Sequence, residues 1–493
     1  MRLSELLKTT DVSNVSDCEI RGITHQAAAV KRGWAYVCRV GATVDGHDFA
    51  AQAAANGAAV IIAQRDVGLA NTILVPDTGA LWPRLCAAWF GYPARRLRVV
   101  GVTGTNGKTS TCHLLWSLLT ACGARVGLVG TVENRIAHLT DPADHTTPDA
   151  YDLQRLFALM VADGCEYAVM EVSSHALCQG RTAGLPFAVG VFTNLTEDHL
   201  DYHHTMDAYA AAKRRLFEQS AIAVVNADDV FGDTVLGGFR GETVRFTRQS
   251  AGADLAAIDP QPTPTGTAFT LRYRETSWRI TLPLMGDFAV SNALAAFGAA
   301  VSLGFDPQDV ARALEHVPPV RGRAETVGYF RGARVVIDYA HTPDGLMQIG
   351  RSFRPYTSGT LTILFGCGGD RDRAKRPLMA QAAASVADRL VITTDNPRTE
   401  DPVQIINEIV AGLSGSDTPY TVIVDRARAI EHLLATARAG DTLVLAGKGH
   451  ETKQQQNGRT VAFDERAIVQ RIIESEDIQY DTMATHHHGD CGI

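Results

Sequence analysis

A glycine-rich segment between two apolar runs, 99–102 and 114–119, carries the clearest chemical signal in this sequence. The segment consists of Gly104, Thr105, Asn106, Gly107, Lys108, Thr109 and Ser110. Between a strand and a helix, such a loop surrounds phosphate oxygens with backbone N–H groups, its lysine adds a positive charge, and its threonine hydroxyl can bind Mg²⁺. Five residues separate Gly101 from Gly107, one more than in the common spacing. We predict a nucleoside triphosphate site in which all three glycines shape the loop.

Two predicted strands of the same region end in polar clusters. Glu171 follows the apolar run 167–170, and His199 belongs to the cluster that follows the run 188–192. Ligands of parallel α/β sheets lie at the carboxyl ends of the strands, so we expect both clusters to face the glycine-rich segment. Thr109 and Glu171 offer the oxygen atoms that Mg²⁺ prefers. For His199, residue chemistry leaves a metal ligand and a structural histidine equally open, because imidazole prefers softer metals.

The carboxyl-terminal third repeats this pattern of apolar runs followed by polar residues. Arg371 and Arg398 come directly after Gly-Gly-Asp and Asp-Asn-Pro turns at predicted strand ends. Loops at strand ends commonly carry binding residues, and a guanidinium pairs with carboxylates or phosphates through two parallel hydrogen bonds. The pattern therefore favours ligand contact for both arginines. For Lys213, by contrast, the neighbouring residues in the sequence predict a solvated charge on a helix.

Composition argues against several classes of protein. The net charge is −8 and no basic cluster of five or six residues occurs, so nucleic-acid binding is disfavoured. The nine cysteines are odd in number and lack a C-x-x-C pair, which favours a reducing cytoplasm over a disulfide framework. The longest apolar stretch, 293–305, is interrupted by Gly and Ser and is too short to cross a bilayer. We expect a cytoplasmic monomer that binds small molecules and neither nucleic acid nor membrane.

Short strands alternate with helical runs along most of the chain, which indicates an α/β fold. A length of 493 residues suggests about two to four domains. Turn residues at 91–93 and a Pro-Pro pair at 318–319 mark the expected boundaries. We predict an amino-terminal domain, a central domain, a carboxyl-terminal domain and a flexible tail, at 1–94, 95–318, 319–476 and 477–493.

Six motifs, in this order, resemble those of the Mur ligases of peptidoglycan synthesis, most closely the members that add diaminopimelate. The motifs lie at 104–109, 171–175, 193–203, 338–344, 395–398 and 447–451. The resemblance implies a central P-loop ATPase-type parallel sheet, a small α/β amino-terminal domain for a UDP-sugar and a Rossmann-like carboxyl-terminal domain for an amino acid. It also implies roles in cell-wall formation, cell shape and cell division.

The resemblance further implies a reaction. ATP would phosphorylate the γ-carboxylate of UDP-N-acetylmuramoyl-L-alanyl-D-glutamate, and an amine of meso-2,6-diaminopimelate would attack the acyl phosphate. A carboxylate is a poor electrophile, so phosphorylation supplies a leaving group while Mg²⁺ and a lysine absorb the charge on the phosphates. The implied cofactor is Mg²⁺, with ATP as a co-substrate.

Site residues follow from the matched motifs. Catalysis is assigned to Lys108, Glu171, His199 and Lys213. Magnesium is assigned to Thr109, Glu171, His199 and Lys213, the last carbamylated by carbon dioxide so that it becomes an anion. Nucleotide contacts outside the glycine-rich segment are assigned to Asn292, Arg323, Asp338 and His341. The UDP-sugar peptide is assigned to Thr24, Gln26, Thr146, Thr147, Ser173, Gln179 and Arg181. Diaminopimelate is assigned to Arg371, Asp395, Asn396, Pro397, Arg398, Gly447 and Glu451.

One departure from the family pattern leaves alternatives open. Family members usually carry Asp-Ser-Arg early in the first domain, where this chain has Thr24-His25-Gln26. Thr24 or Gln26 could substitute with a hydroxyl or an amide, or the binding of the uridine end could be altered.

The alternative functions are those of a related ligase that adds lysine and of a non-catalytic, nucleotide-binding regulatory relative. A folate-type glutamate ligase is disfavoured by the Asp-Asn-Pro-Arg motif at 395–398.

Overall fold

Buried apolar residues form cores against three main sheets. The computed structural model describes residues 1–8, 10, 12, 16–41, 43–137, 139–143, 145–249 and 252–487, with the backbone alone for 477–487. Over this part of the chain, every helix is too short or too polar to traverse a lipid bilayer.

The amino-terminal unit is a four-stranded parallel sheet with strands in sequence order. Its strands are β1 (Gly22–Thr24), β2 (Trp34–Val37), β3 (Val60–Ala63) and β4 (Thr72–Leu74). Its helices are α1 (Leu3–Leu6), α2 (Ala50–Ala55) and α3 (Thr78–Trp89), with short 3-10 helices at Ala27–Ala29, Gly46–Phe49 and Pro93–Arg96. The third strand is buried along its whole length, as expected for an apolar run covered on both faces.

The central unit is an eleven-stranded sheet. Its strands are β5 (Arg98–Thr103), β6 (Val126–Val129), β7 (Glu133–Ile136), β8 (Leu139–Pro142), β9 (Tyr167–Glu171), β10 (Phe187–Phe192), β11 (Ser220–Asn226), β12 (Glu242–Thr247), β13 (Leu255–Thr263), β14 (Gly266–Tyr273) and β15 (Thr276–Leu282). Its helices are α4 (Lys108–Ala121), α5 (Ala150–Ala162), α6 (Ser174–Cys178), α7 (Leu200–His203), α8 (Met206–Phe217), α9 (Gly232–Leu236), α10 (Asp287–Ser302) and α11 (Pro307–Leu314).

The strand order of this sheet explains where the polar clusters lie. The order is β15-β14-β13-β12-β11-β10-β5-β9-β6-β7-β8, and all neighbours from β13 to β6 are parallel. Strand β5 therefore lies between β9 and β10, and the residues that follow these three strands share one edge. The predicted parallel central sheet is confirmed, while the antiparallel strands at its two margins were not predicted.

The carboxyl-terminal unit is a six-stranded sheet in the order β16-β17-β21-β18-β19-β20, parallel except for β16, with a separate hairpin of β22 and β23. Its strands are β16 (Glu325–Phe330), β17 (Ala333–Asp338), β18 (Leu361–Phe365), β19 (Arg389–Ile392), β20 (Tyr420–Val422), β21 (Thr442–Ala446), β22 (Lys453–Gln456) and β23 (Arg459–Ala462). Its helices are α12 (Pro343–Phe353), α13 (Lys375–Ala384), α14 (Pro402–Ala411), α15 (Arg426–Ala435) and α16 (Glu465–His487), with a 3-10 helix at Arg354–Tyr356.

The last helix passes the position at which we expected a flexible tail to begin. Its backbone continues from residue 477 to residue 487, and residues 488–493 lie outside the described part. The sequence of this stretch is polar, and the helical periodicity of its apolar residues is weak. The continuation of α16 was therefore not visible in the pattern.

Asp149 joins the amino-terminal and central units. Its carboxylate accepts hydrogen bonds from Trp82 Nε1 at 3.0 Å and from Arg39 Nη1 at 3.1 Å, and it caps the amino terminus of α5. Burial raises the pKa of Asp149, but the Trp82 hydrogen bond and the Arg39 charge outweigh burial, so the net pKa lies below its ordinary 3.8. An ionised Asp149 therefore stabilises the junction at neutral pH.

Replacing Asp149 by alanine is expected to destabilise the protein by about 2 kcal/mol, because Trp82 and Arg39 lose a charged partner. The check is the apparent melting temperature, with Asp152→Ala on the exposed face of the same helix as the control. Since the folded-state pKa is lowered, the contribution of Asp149 is complete above pH 3.8 and is lost as the pH falls below it. Equal melting temperatures for the two variants at pH 7 would contradict the role of this carboxylate.

Candidate active site

Two glycines shape the loop between β5 and α4. Gly104 has φ +152° and Gly107 has φ +86°, both outside the range that other residues adopt easily. A Cβ atom at Gly104 would collide with Thr193, and one at Gly107 would collide with Asn292. Gly101, which we expected to shape the loop, lies inside β5, where a Cβ would press against Phe187. That expectation was wrong, because Gly101 provides room for sheet packing.

Lys108 and Thr109 open helix α4 directly after this loop. Lys108 Nζ donates to the carbonyl oxygens of Gly104 at 2.9 Å and Thr105 at 2.8 Å. Burial lowers the pKa of Lys108, although the charge of Glu171 counteracts this effect. Thr109 Oγ1 donates to Glu171 Oε2 at 2.9 Å. The lysine and the threonine hydroxyl thus lie at the mouth of the loop, at the positive end of a 14-residue helix.

Glu171 ends strand β9 beside the loop, at the edge of the sheet where the strand pattern predicted it. Its side chain is 1% exposed, and Thr131 donates to it from the backbone N–H at 2.7 Å and from the hydroxyl at 3.1 Å. Within the described residues, no three His, Cys, Asp or Glu side chains gather as a metal-binding group. Thr109 and Glu171 are oxygen donors, and Mg²⁺ commonly takes one or two protein groups together with phosphate oxygens and water. This donor set fits Mg²⁺.

His199 precedes α7 in a left-handed conformation, with φ +55°. Such a conformation is uncommon outside glycine and is often found at functional sites. Its ring lies 4.8 Å from the ring of His175, centroid to centroid, and its Nε2 lies 3.5 Å from Asp198 Oδ2. Partial burial, reinforced by the neighbouring His175, lowers the pKa of His199 to about 4. The ring is therefore neutral at pH 7 and able to act as a ligand.

Lys213 on helix α8 is 1% exposed, so the reading of this residue as a solvated charge was wrong. Its Nζ lies 4.3 Å from the centroid of the Tyr209 ring. Burial lowers the pKa of Lys213 well below its ordinary 10.5, and the positive charge of Lys108 lowers it further. A buried amine in this environment carries a proton less readily than a surface lysine, and an unprotonated amine is a nucleophile.

A cavity of about 490 Å³ opens over the loop, between the central and carboxyl-terminal units. The predicted nucleotide residues that line it are Thr105, Asn106, Gly107, Lys108, Thr109, Ser110, Asn292, Arg323, Asp338 and His341. Hydrogen bonds link the two units at this place. Arg323 Nη2 donates to Thr109 Oγ1 at 3.1 Å, and Asn106 Nδ2 donates to Asp344 Oδ2 at 3.0 Å. Residues that are far apart in sequence therefore share one cavity.

Asp338 and His341 enter this cavity from the end of β17. The Asp338 carboxylate accepts hydrogen bonds from the backbone N–H groups of Ala324 at 2.6 Å and Ala340 at 2.7 Å. Burial raises the pKa of Asp338, although the Ala324 N–H counteracts it. His341 donates from Nδ1 to the carbonyl oxygen of Tyr339 at 2.7 Å, which leaves Nε2 as the acceptor.

A second cavity, of about 560 Å³, adjoins the first and shares Lys108, His199 and Tyr339 with it. Four of the residues predicted for the UDP-sugar peptide line it: Thr146, Thr147, Ser173 and Arg181. The guanidinium of Arg181 donates to the carbonyl oxygen of Thr147 at 2.8 Å. Sequence reasoning missed His145, His175, Tyr339 and His450, which also line this cavity. His175, Tyr339 and His450 lie in three of the matched motifs, but the motifs did not indicate that these side chains share one cavity, which depends on tertiary packing.

The other three residues predicted for the UDP-sugar peptide lie elsewhere. Gln179 is exposed next to Arg181 and accepts a hydrogen bond from Arg181 Nε at 3.0 Å. Thr24 is buried in the amino-terminal sheet, and its hydroxyl accepts from the Gln26 N–H at 3.0 Å, while Gln26 itself is exposed. Neither cavity includes these three residues. They can contact the substrate only where the UDP-sugar extends beyond the two cavities.

A third group of polar residues gathers at the carboxyl ends of β19 and β21. Glu451 Oε2 accepts hydrogen bonds from Asn396 Nδ2 and from Lys448 Nζ, each at 2.9 Å. Lys448, which sequence reasoning did not single out, is fully buried. Gly447 has φ +113° and packs against the Asp395 carboxylate, where a Cβ would lie 2.7 Å from Oδ2. Glu451 is therefore held in place by two donors.

Arg398 and Arg371 lie at the opening of this group. Arg398 has φ +54°, is half-buried, and donates from Nη1 to the carbonyl oxygen of Gly369 at 2.6 Å. Partial burial, together with the positive charge of the exposed Arg371, lowers the pKa of Arg398. Pro397 is buried behind them, with its carbonyl against Gly369. Two neighbouring guanidinium groups favour the binding of an anion such as a carboxylate.

Family models match most of the chain. The Mur ligase middle domain matches residues 102–300, the Mur ligase glutamate ligase domain matches 322–449, and the Mur ligase family catalytic domain matches 19–78. Among curated proteins, UDP-N-acetylmuramoyl-L-alanyl-D-glutamate–2,6-diaminopimelate ligase of Gloeobacter violaceus is 45% identical over 94% of this chain and 96% of its own. The protein of the same name from Geobacillus thermodenitrificans is 42% identical over 90% of this chain and 93% of its own.

Solved structures agree with this comparison. The structure of a UDP-N-acetylmuramoyl-L-alanyl-D-glutamate–2,6-diaminopimelate ligase is 34% identical and superposes with a TM-score of 0.71, covering 96% of this chain and 99% of that one. MurF from Acinetobacter baumannii, at 19% identity and a TM-score of 0.65 over 96% of this chain and 98% of that one, shares the fold. With three Mur ligase domains matched along it and identities of 42–45% to the two curated ligases over 90% or more of its length, the chain belongs to the Mur ligase family.

Proposed function

We propose that this protein is an ATP-dependent ligase that adds meso-2,6-diaminopimelate to UDP-N-acetylmuramoyl-L-alanyl-D-glutamate through an acyl phosphate. One observation carries the proposal: the phosphate loop, the oxygen donors and four residues assigned to the UDP-sugar peptide line two adjoining cavities between the central and carboxyl-terminal units. The residues assigned to diaminopimelate gather on the carboxyl-terminal unit, where Glu451 directly follows His450 of the second cavity. The relatives with this activity are 42–45% identical over nearly the whole chain. Formation of an amide from a carboxylate requires this combination of a triphosphate site and two substrate sites.

The phosphate loop supports the first half-reaction. The backbone N–H groups from Gly104 to Ser110 and the amino terminus of α4 would hold the triphosphate, as helix amino termini generally hold anions. Lys108 would leave the carbonyl oxygens that it now contacts and pair with phosphate oxygens, and Arg323 would add a second positive charge from the carboxyl-terminal unit. Both cations would stabilise the charge that develops as the γ-phosphoryl group passes to the substrate carboxylate.

Mg²⁺ would be held by Thr109, Glu171 and His199, and when bound it would neutralise charge on the phosphate oxygens. We further propose that Lys213 is carbamylated and adds a carboxylate to this set. An ammonium group at this buried position would repel the metal, whereas the lowered pKa of Lys213 favours the free amine that reacts with carbon dioxide. The negative charge of the carbamate would also attract the positive charge of Lys108.

The third group of polar residues would select the amino acid. Diaminopimelate carries a carboxylate and an ammonium group at the end remote from the attacking amine, whereas lysine carries only the amine there. Arg398 would bind the remote carboxylate, and Glu451, oriented by Asn396 and Lys448, would accept the remote ammonium. The paired arrangement therefore favours diaminopimelate over lysine. We assign the domain roles accordingly: UDP-sugar at 1–94, ATP at 95–318 and amino acid at 319–476.

One assay tests this function. Purified protein is incubated with ATP, Mg²⁺ and the UDP-sugar dipeptide, and diaminopimelate and lysine are offered separately. We expect phosphate release and a product of the mass of the tripeptide with diaminopimelate only. Formation of the tripeptide with lysine would identify a related ligase that adds lysine. ATP hydrolysis without any tripeptide would favour a non-catalytic regulatory member of the family. We propose that the protein is cytoplasmic and that its active form is a monomer. The mass of the active species in solution tests the oligomeric state.

A further inference from the structure

His450 is a histidine whose place in the site is not accounted for by the proposed roles. It lies one residue before Glu451, and it lines the second cavity together with Lys108, His199 and Thr146. It is therefore a residue of the amino-acid-binding unit that reaches the space between the phosphate loop and the UDP-sugar peptide. A bond between the acyl carbon and the incoming amine would have to form in that space.

The local backbone explains this position. Gly447 and Gly449 both have positive φ, at +113° and +52°, and the turn that they form directs neighbouring side chains to opposite sides. Lys448 points into the protein toward Glu451, whereas His450 packs on the Tyr339 ring at a centroid distance of 5.1 Å. Gly449 in turn packs closely on Gly322 and Tyr339, where a Cβ would lie 2.8 Å from each residue. The histidine is held between fixed elements.

The ring of His450 has a nitrogen without a hydrogen-bond partner. Its Nδ1 is buried and is without a hydrogen-bond partner among the described residues. Buried polar atoms of folded proteins normally have partners, so an unpartnered one beside a substrate cavity points to a ligand. Burial, together with the nearby charges of Arg323, Arg321 and Lys448, lowers the pKa of His450 to about 4. The ring is therefore neutral at pH 7, and one of its two nitrogens carries a lone pair.

We infer that His450 accepts the proton that the incoming amine must lose, and this inference rests on the proposed ligase function. As the nitrogen bonds to the acyl carbon, a tetrahedral intermediate forms and the nitrogen becomes positively charged and acidic. Nδ1 takes one proton from that nitrogen, the bond between carbon and phosphate oxygen breaks, and the imidazolium passes its proton to the departing phosphate. Starting from the neutral amine and the acyl phosphate, one amide and one hydrogen phosphate result, with no other reactant.

A weak base suits this step. A group with a lowered pKa would not deprotonate a free ammonium group, but it can take a proton from the nitrogen of the intermediate, and it then returns the proton readily to phosphate. Amide formation by His450→Asn is expected to be about 10²-fold slower, since positioned proton transfer contributes roughly that factor. Asparagine places an oxygen near the position of Nδ1, so it can accept a hydrogen bond but cannot take up a proton.

The experiment separates the two half-reactions. Phosphorylation is measured by positional isotope exchange in labelled ATP without amino acid. The acyl phosphate is trapped as a hydroxamate with hydroxylamine, which is mostly unprotonated at neutral pH. We expect His450→Asn and His450→Ala to retain exchange and hydroxamate formation within about threefold while amide formation falls. His432→Ala, an exposed histidine on α15, is the control.

Three results would overturn the inference. Amide formation by His450→Asn at the wild-type rate would reduce His450 to a hydrogen-bonding role. Equal losses of exchange and of amide formation in both variants would indicate a structural role. If the wild-type protein forms no amide with either amino acid, the proposed function fails and the inference fails with it, whereas an active wild-type protein with fully active His450 variants contradicts the inference alone.

Discussion

Replacing Lys213 by methionine is expected to lower the rate of ligation by about 10³-fold or more, equivalent to about 4 kcal/mol of transition-state stabilisation. The side chain is buried beside Tyr209, close enough to Lys108 for each charge to affect the other. Methionine fills a similar volume but cannot form a carbamate. We therefore expect a folded protein that lacks the carbamate proposed for the magnesium site. The measurement is phosphate release with all substrates present.

The stability of the same variant provides a separate test. Because burial lowers the pKa of the unmodified Lys213 amine below 10.5, the unfolded chain binds the proton more tightly than the folded chain. In buffer free of carbon dioxide, the free energy of unfolding of the wild type should therefore rise between pH 7 and pH 9 relative to Lys213→Met. Lys8→Met, at an exposed lysine, serves as the control. An active Lys213→Met, or an intact mass of the active enzyme without the carbamate, would contradict the proposal.

Arg398→Ala is expected to lower kcat/KM for diaminopimelate by several hundredfold, about 3–4 kcal/mol, since one partner of a partly buried charge pair is removed. Arg398 is half-buried next to Arg371, and only an anion can relieve the repulsion between the two guanidinium groups. Lysine has no carboxylate at its remote end. Its much slower use should therefore change by less than about tenfold, and the preference for diaminopimelate should shrink.

The control for this prediction is Arg389→Ala, which removes an exposed arginine at the start of β19 in the same sheet. Positional isotope exchange in ATP, which does not require the amino acid, should be the same in both variants. A loss of exchange in Arg398→Ala would mean that the arginine supports the fold or the closure of the units instead of diaminopimelate. Unchanged kinetics with diaminopimelate would contradict the assignment of Arg398.

Comparison of the phosphate loop with Lys213 shows which features of the site were predictable. The loop functions through its own backbone, so Gly104, Gly107 and Lys108 indicate phosphate binding by their spacing alone. The role of Lys213 depends on which face of α8 packs inward, and its sequence neighbours, two arginines among them, suggested an exposed position. Only the family resemblance singled it out, and only the fold shows that it is buried.

The margins of the central sheet and the lining of the second cavity were not predictable for a related reason. Strands β13, β14 and β15 carry mixed apolar and polar residues, and their pairing depends on contacts between distant segments. His175 and His450 come from different units, and each lies in a motif that gives no indication of the other. Contacts across units depend on three-dimensional packing, which local periodicity does not encode.

The sequence by itself determined the α/β class, the glycine-rich loop before α4 and the polar residues that follow the strands, because these features depend on backbone geometry and on neighbours a few residues away. The tertiary structure decided which of those residues share a cavity, that Lys213 is buried, that Gly101 serves packing, and that His450 lines the second cavity. The physical reason is that burial and electrostatic environment are produced by the packing of units that are distant in the chain.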